Sequence, residues 1–264
     1  MALTEEQLDD CLDAALTLAA WAVGEMAAGP SQVRAKDGVA DLVTEVDLRV
    51  EREVRARLAE RFPDHRVCGE EFGGECGTGI GWWVDPVDGT TNFAHRLPWA
   101  SFSLAVADEL GAAVGVVADP YRREVFSAVR GRGARLNGEP TVCDTVTALP
   151  GGIVLTELSG TAVQAGLPEM MRDLATRGCA TRIMGSSALS LASVAAGRCL
   201  ATVLDSYNPW DVLAGALVAA ESGAVLLSRD GLPHSGLLPG GVIAAVPDVA
   251  GEVLAAWTRR RESR

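Results

Sequence analysis

The sequence predicts an α+β chain whose two halves are built differently. The first half carries two amphipathic helical stretches followed by short apolar runs separated by turns, as an antiparallel or mixed sheet requires. From residue 152 onward strands and helices alternate, the rhythm of a layered α/β arrangement. The 264 residues are 48% hydrophobic and 22% charged, the balance of a folded globular chain and not of a disordered or fibrous one. Residues 1–264 are expected to form one domain, with a soft subdomain boundary near 140–150 between an α+β half (1–145) and an α/β half (146–264).

The elements follow in order. Leu8, Leu12, Ala15, Leu16, Ala19 and Val23 recur at three- and four-residue steps, which predicts a helix over 4–28, stopped by Gly29-Pro30. Residues 31–43 read as a polar loop. Val46, Val50, Val54 and Leu58, four apart with Glu and Arg between them, predict a second helix from Thr44 to near Phe62-Pro63. Strands are expected at 66–69, 81–85, 101–107, 113–118 and 124–129, punctuated by Asp119-Pro120 and Gly131-Arg132-Gly133. Residues 136–150 read as a connector carrying Asn137-Gly138. In the second half, strands at 152–156, 181–184, 199–204, 224–227 and 241–245 are interleaved with helices at 161–177, 188–196, 211–222 and 248–260.

The charge is strongly acidic: 23 Lys and Arg against 35 Asp and Glu give −12. Such a surface repels phosphate backbones, so nucleic-acid binding is not expected. An anionic substrate would need a local cation, and a bound metal ion is the obvious source. The six cysteines form no Cys-x-x-Cys pair and are expected to be reduced thiols of a cytoplasmic protein. The acidic start (Glu5, Glu6, Asp9, Asp10) is unlike a signal peptide, and Leu12–Met26 is too short and too charged to span a bilayer, so no membrane association is expected.

Four acids stand out by their settings: Glu70 in Gly69-Glu70-Glu71, Asp85 and Asp88 in Asp85-Pro86-Val87-Asp88-Gly89-Thr90-Thr91-Asn92-Phe93, and Asp211 in Pro209-Trp210-Asp211. Asp85 and Asp88 follow an apolar strand, Pro86 stiffens its exit and Gly89 permits a tight turn. Two carboxylates and the Val87 carbonyl can converge there, and an all-oxygen set suits a hard cation such as Mg²⁺. A helix starting at Gly89-Thr90-Thr91 would aim free N–H groups at the same spot, a phosphate cradle beside a cation. Taken singly, an Asp-x-x-Asp turn is commonly a capped loop, a Glu pair a solvated surface, and Asp211 a helix cap. Their conjunction carries the weight.

These three motifs, in this order and with the stretch Asp41-Leu42-Val43-Thr44-Glu45-Val46-Asp47, resemble the inositol monophosphatase family of Mg²⁺-dependent, lithium-sensitive phosphatases. The resemblance extends through Trp210-Asp211-Val212-Leu213-Ala214-Gly215. It implies a layered α/β/α/β/α sandwich, the sugar-phosphatase fold. It implies that Glu70, Asp85 and the Val87 carbonyl hold a first Mg²⁺, that Asp85, Asp88 and Asp211 hold a second, and that a weaker third lies near Glu70. Asp47, Glu70 and Thr90 are then the catalytic residues, with Thr90 and Asp47 orienting the attacking water. Gly89, Thr90 and Thr91, together with Asp88, Asp211 and the turn Gly185-Ser186-Ser187, are implied to contact phosphate and substrate, and Lys36 to sit on a mobile loop. A homodimer is also implied.

The expected activity is hydrolysis of a small phosphate monoester, inositol 1-phosphate before others. The chain departs from the family at one point: Leu204 stands where many members have a sugar-binding Glu seven residues before the Trp-Asp aspartate, with Asp205 beside it. Fructose-1,6-bisphosphate or another sugar or nucleotide phosphate is therefore an alternative, and a non-catalytic interaction protein in transcription is a reading of a different class. His65 and His95 are expected to be structural and His234 to lie on a surface turn; Trp82, Trp83 and Trp99 read as packing residues.

Overall fold

Helices and sheets alternate in five layers in the computed structural model, which describes residues 2–36, 42–75, 77–145, 148–158, 163–234 and 240–259. Helix α1 (Glu5–Ala27) opens on a Thr4–Gln7 capping box that satisfies two N–H groups at its start. The stretch expected to be loop contains a small antiparallel ribbon, β1 (Val33–Ala35) with β2 (Leu42–Thr44). These three-residue strands are too short to show a period of two. Helix α2 (Glu45–Arg61) follows at once, its own capping box formed by Thr44 and Asp47.

The first sheet has seven strands in chain order: β3 (Arg66–Gly69), β4 (Gly81–Asp88), β5 (Ser101–Asp108), β6 (Gly111–Asp119), β7 (Glu124–Val129), β8 (Ala134–Leu136) and β9 (Glu139–Thr141). Only β3 and β4 pair in parallel; every other neighbour is antiparallel, so the sheet is mixed as expected. A short helix, α3 (Thr90–Ala94), leaves the end of β4. The expected connector at 136–150 begins instead with the β8–β9 hairpin. Asn137 (φ 51°) and Gly138 (φ 83°) both take the left-handed backbone that a two-residue hairpin turn demands.

The second sheet has five strands in the order β11-β10-β12-β14-β13: β10 (Ile153–Thr156), β11 (Ala180–Ile183), β12 (Ala201–Leu204), β13 (Val225–Leu227) and β14 (Val242–Ala245). Helices α4 (Leu167–Thr176), α5 (Ser187–Ala195), α6 (Pro209–Glu221) and α7 (Pro247–Thr258) cover it. The helix expected from 161 starts six residues late, because Gly166 holds a left-handed φ of 91° and Pro168 stands in the first turn; residues 161–162 lie outside the described residues.

Side-chain alternation builds the layers. In β4, Trp82 and Val84 face α1 and α2, while Trp83 faces α5 and α6. In β14, Val242 and Ala244 face α5 and α6, while Ile243 and Ala245 face α4 and α7. Helices α5 and α6 are thus buried between two sheets, the α/β/α/β/α order, and both sheets are apolar on both faces. Close approach in this middle layer depends on small residues. A Cβ on Gly115 of β6 would stand 2.9 Å from the Ala214 carbonyl oxygen of α6. Gly115→Ala is therefore expected to destabilise by about 1–3 kcal/mol through overpacking, read as a lowered midpoint in thermal melts.

Cys11, Cys143, Cys179 and Cys199 are free and buried, in line with the expected thiols. Cys68 departs from that expectation, being disulfide-bonded, and Cys76 lies outside the described residues. Among the described residues no helix is long and apolar enough to cross a membrane.

Candidate active site

The site grows from an irregularity in β4. Asp85 pairs with Ser103 of β5 and Asp88 with Ser101, so three steps on one strand match two on the other. Without this bulge, residues three apart would face opposite sides of the sheet. The extra residue returns Asp88 to the side of Asp85. Trp83 shares that side, so both acids face the middle helical layer. Asp85 is 2% and Asp88 7% exposed, and the Val87 N–H donates to Asp85 Oδ1 at 3.0 Å.

Two helix N-termini meet this corner. The N–H groups of Ser187 and Ala188, in the first turn of α5, donate to Asp88 at 3.1 and 2.7 Å, and the Ser186 hydroxyl at 2.5 Å. Asp211 occupies the first turn of α6, where its Oδ2 accepts the Asn208 N–H at 2.7 Å. The helix-cap reading and the functional reading of Asp211 therefore coexist. Each helix places its positive end beside carboxylates. Glu70 follows β3 and extends the cluster, its charge adding to burial in making Asp85, Asp88 and Asp211 harder to ionise.

Asp47 is fully buried in the first turn of α2. Its Oδ1 accepts the Thr90 hydroxyl at 3.1 Å, and the same hydroxyl lies 2.9 Å from the Val87 carbonyl. Asp47 Oδ2 accepts from the Thr44 N–H at 3.0 Å and from the Thr44 hydroxyl. Gly89 caps α3 with φ 93°, and a Cβ there would stand 2.6 Å from the Gly185 carbonyl oxygen. This position needs glycine on both grounds. Lys36, at the end of β1, bridges Glu70 (3.0 Å) and Glu71 (2.6 Å).

Burial and mutual repulsion set the electrostatics. Burial first, then the charges of Glu70, Asp88 and Asp211, push Asp85 well above the usual carboxylate range. Burial pushes Asp88 up to about 6 against the donors of the 186–188 turn, and Asp211 up to about 8 against Asn208. It also carries Asp47 to about 6 and Glu71 to about 7. Burial opposes the charge on Lys36, but Glu70 and Glu71 outweigh it and hold the ammonium above its ordinary range. The cluster is thus a set of hard oxygen donors with more negative charge than its one lysine offsets, chemistry that fits a divalent cation. The side chains are not closed into a cage: among the described residues no three His, Cys, Asp or Glu side chains stand in metal-holding geometry.

The structure thus brings together Asp47 with Thr90, Asp88 with Ser186 and Ser187, and Lys36 with Glu70. Asp85, Asp88, Glu70 and Asp211 share one field. Donors of the Gly185–Ser187 turn, expected to face substrate, are engaged by Asp88 and Glu157. Thr91 is exposed, and its carbonyl takes the His95 ring nitrogen at 2.9 Å. Asp41 lies outside the described residues. Leu204 is 1% exposed in the core, and Asp205 pairs with Arg229 and accepts the Trp257 indole N–H at 3.2 Å. His234 is buried on the Tyr207 hydroxyl (2.8 Å) and not on a surface turn.

Two further acids were not singled out from the sequence. Glu157, past β10, accepts the Gly185 N–H and the Ser190 hydroxyl (2.8 Å), and so holds the turn that grips Asp88. Glu51, in α2, accepts the N–H groups of Glu71 and Phe72. A carboxylate in a buried register is the only sequence signal for either.

The profile of the inositol monophosphatase family matches residues 5–262. The chain belongs to that family. It is 37% identical over 231 residues to the Nus factor SuhB of Salmonella typhimurium, covering 86% of each chain. It is 35% identical over 214 residues to the inositol-1-monophosphatase of a Synechocystis species, covering 76% of this chain and 72% of that one. Among solved structures it is similar to an IMPase of Thermotoga maritima, with a TM-score of 0.86, 30% identity and coverage of 94% and 96%.

Proposed function

We propose that the chain is a Mg²⁺-dependent phosphatase that hydrolyses a small phosphate monoester, with inositol 1-phosphate as the first candidate. One observation carries this reading. Asp85 and Asp88 of β4 and Asp211 of α6 share a buried field with Glu70 beside it, in which burial first and the neighbouring carboxylate charges next push all three aspartates up. Unused, such a cluster only repels and costs stability.

Glu70, Asp85, the Val87 carbonyl, Asp88 and Asp211 would hold the ions, two or three in number. When bound, Mg²⁺ offsets the charge of the phosphoryl oxygens, supports the leaving alkoxide and makes hydroxide available near neutral pH. The chain's own residues do the rest. The Thr90 hydroxyl orients the attacking water for in-line approach, and Asp47 Oδ1 takes up the proton passed through that hydroxyl. Glu70, paired with Lys36, would act on the same water. The N–H groups at the start of α3 orient the phosphate, while the turn at 185–187 holds Asp88 in place. The barrier lowered in this way is large, since enzymes on phosphate monoesters reduce it by more than ~20 kcal/mol.

The substrate choice rests on the rim. With Leu204 in the core and Asp205 held by Arg229 and Trp257, no carboxylate is free at the sugar-binding position. This supports keeping fructose-1,6-bisphosphate and nucleotide-derived phosphates beside inositol 1-phosphate. Similarity to proteins named Nus factor supports a second reading, a non-catalytic interaction protein. A homodimer in solution belongs to the first reading.

Phosphate release from inositol 1-phosphate, fructose-1,6-bisphosphate, histidinol phosphate and 3′-phosphoadenosine phosphate decides between them. Release that needs Mg²⁺ and stops with EDTA is the expected result. Silence on all four, with tight partner binding, favours the second reading.

A further inference from the structure

We propose that Glu51, which lies outside the candidate ligand set, is a positioning residue that fixes the place of Glu70 and thereby sets the affinity of the site for divalent cations. This rests on the metal-dependent reading above.

Glu51 is fully buried on the inner face of α2. Its Oε2 accepts the Glu71 N–H at 2.7 Å and its Oε1 the Phe72 N–H at 3.1 Å. The Glu70 N–H itself donates to the Val84 carbonyl of β4 at 3.2 Å. Three consecutive backbone donors, at 70, 71 and 72, are thus fixed, the first by the strand that carries Asp85 and the other two by one carboxylate.

Arg55 completes the support. Its Nε donates to Glu51 Oε1 at 2.8 Å and its Nη1 to the Val67 carbonyl at 3.1 Å, while Nη2 reaches the Gly73 carbonyl. The Glu51–Arg55 pair therefore holds the chain both before and after Glu70. The guanidinium also compensates the buried carboxylate, and each partner has further hydrogen bonds, the condition under which a buried ion pair is tolerated. Gly69 tells the same story from the other side: a Cβ there would collide with the Glu51 carboxylate, so the turn can rest on it only without a side chain.

The spacing on α2 gives this a mechanical sense. Asp47, Glu51 and Arg55 fall four residues apart and so lie along one face, a turn between each. Asp47 holds Thr90 and Glu51 holds the Glu70 turn. One rigid helix therefore fixes the distance between the water-orienting pair and a candidate ligand. Supporting groups of this kind typically change metal affinity or activity by about 10–100-fold when lost.

The test uses the full metal-stripped chain and Mg²⁺ alone, by titration calorimetry at 25 °C beside thermal melts. Glu51→Gln keeps the size but turns an amide N–H₂ toward a backbone N–H. Its Mg²⁺ dissociation constant is expected to rise about 10–100-fold. Val253→Ala, in the α7 core, is the control: its midpoint should fall while its Mg²⁺ affinity stays within about threefold of the parent. A Glu51→Gln chain that melts lower but binds Mg²⁺ like the parent would overturn the proposal, leaving a merely structural staple. Should that variant not fold, Arg55→Lys decides, since it keeps the charge but gives up the carbonyl contacts; weakened Mg²⁺ binding supports the proposal and unchanged binding overturns it. A parent chain that binds no Mg²⁺ sinks the metal-dependent reading itself, a distinct outcome.

Discussion

Asp88→Asn is expected to abolish phosphate release, by at least about 10³-fold, more than the ~10–100-fold typical of groups that only support a metal ligand. The fold should survive. Asn can still accept from the α5 N-terminus, where Ser187 and Ala188 donate, so the turn keeps part of its anchor. One buried negative charge is also removed from a field that already pushes Asp85 and Asp211 upward. The variant's thermal midpoint in EDTA should therefore match or exceed that of the parent. Near-normal turnover at saturating Mg²⁺ would refute the ligand role.

A second large effect is expected from pH in the absence of metal. Asp47 and Asp88 ionise at about 6, Glu71 and Glu157 at about 7 and Asp211 at about 8, all held up chiefly by burial. In the unfolded chain the same groups ionise in the ordinary range near 4. Below that range they are neutral in both states and their contribution to stability is fully present. As pH rises the unfolded chain gives up protons that the folded chain keeps, and the contribution is lost up to about pH 8. The EDTA-treated protein should then melt several degrees lower at pH 8 than at pH 5, given ~2–4 °C per kcal/mol for a chain of this size. Asp108 works the other way: burial is outweighed by Arg130 and two backbone donors, which hold it down to about 2, so its contribution fails only in strong acid. Millimolar Mg²⁺ at pH 8 should restore the midpoint, whereas NaCl of equal ionic strength should not. An EDTA midpoint that is flat or rises from pH 5 to 8 contradicts the electrostatic account.

Much of this fold was legible because burial imposes a period. Helices α1 and α2 show their apolar stripes, and the strands of the two sheets read as apolar runs because both faces are covered. The short pieces were not legible. The β1–β2 ribbon has strands of three residues each, too short to show an alternation, and its pairing depends on the chain partner. The β8–β9 hairpin was marked by Asn137-Gly138, but its three-residue strands gave no alternation to support the turn. Helix α4 begins at Leu167 and not at the expected 161, because Gly166 turns the backbone left-handed just before it.

In the site, the acids carried by motif were visible while their supports were not. Asp85 and Asp88 are three positions apart, an odd step, and only the bulge against Ser101 and Ser103 places them on one face. Nothing in the local sequence announces that bulge except Pro86. Glu51 lies among the Glu and Arg residues of α2, which alone read as a solvated face. Its burial follows from tertiary packing against the Glu70 turn. Glu157 is likewise a single acid past a strand, and its role depends on a turn 28 residues away in the chain.

The most direct test is calorimetric titration of Mg²⁺ into the metal-stripped chain at pH 7, in two buffers of different protonation enthalpy, for the parent and for Asp85→Asn. The account predicts saturable uptake of at least two ions per chain, with protons released, since Asp211 ionises only at about 8 before a cation arrives. It predicts that Asp85→Asn binds at least tenfold more weakly, a change of about 1.4 kcal/mol or more. Absence of binding heat in the parent, or equal affinity and proton release in Asp85→Asn, contradicts it.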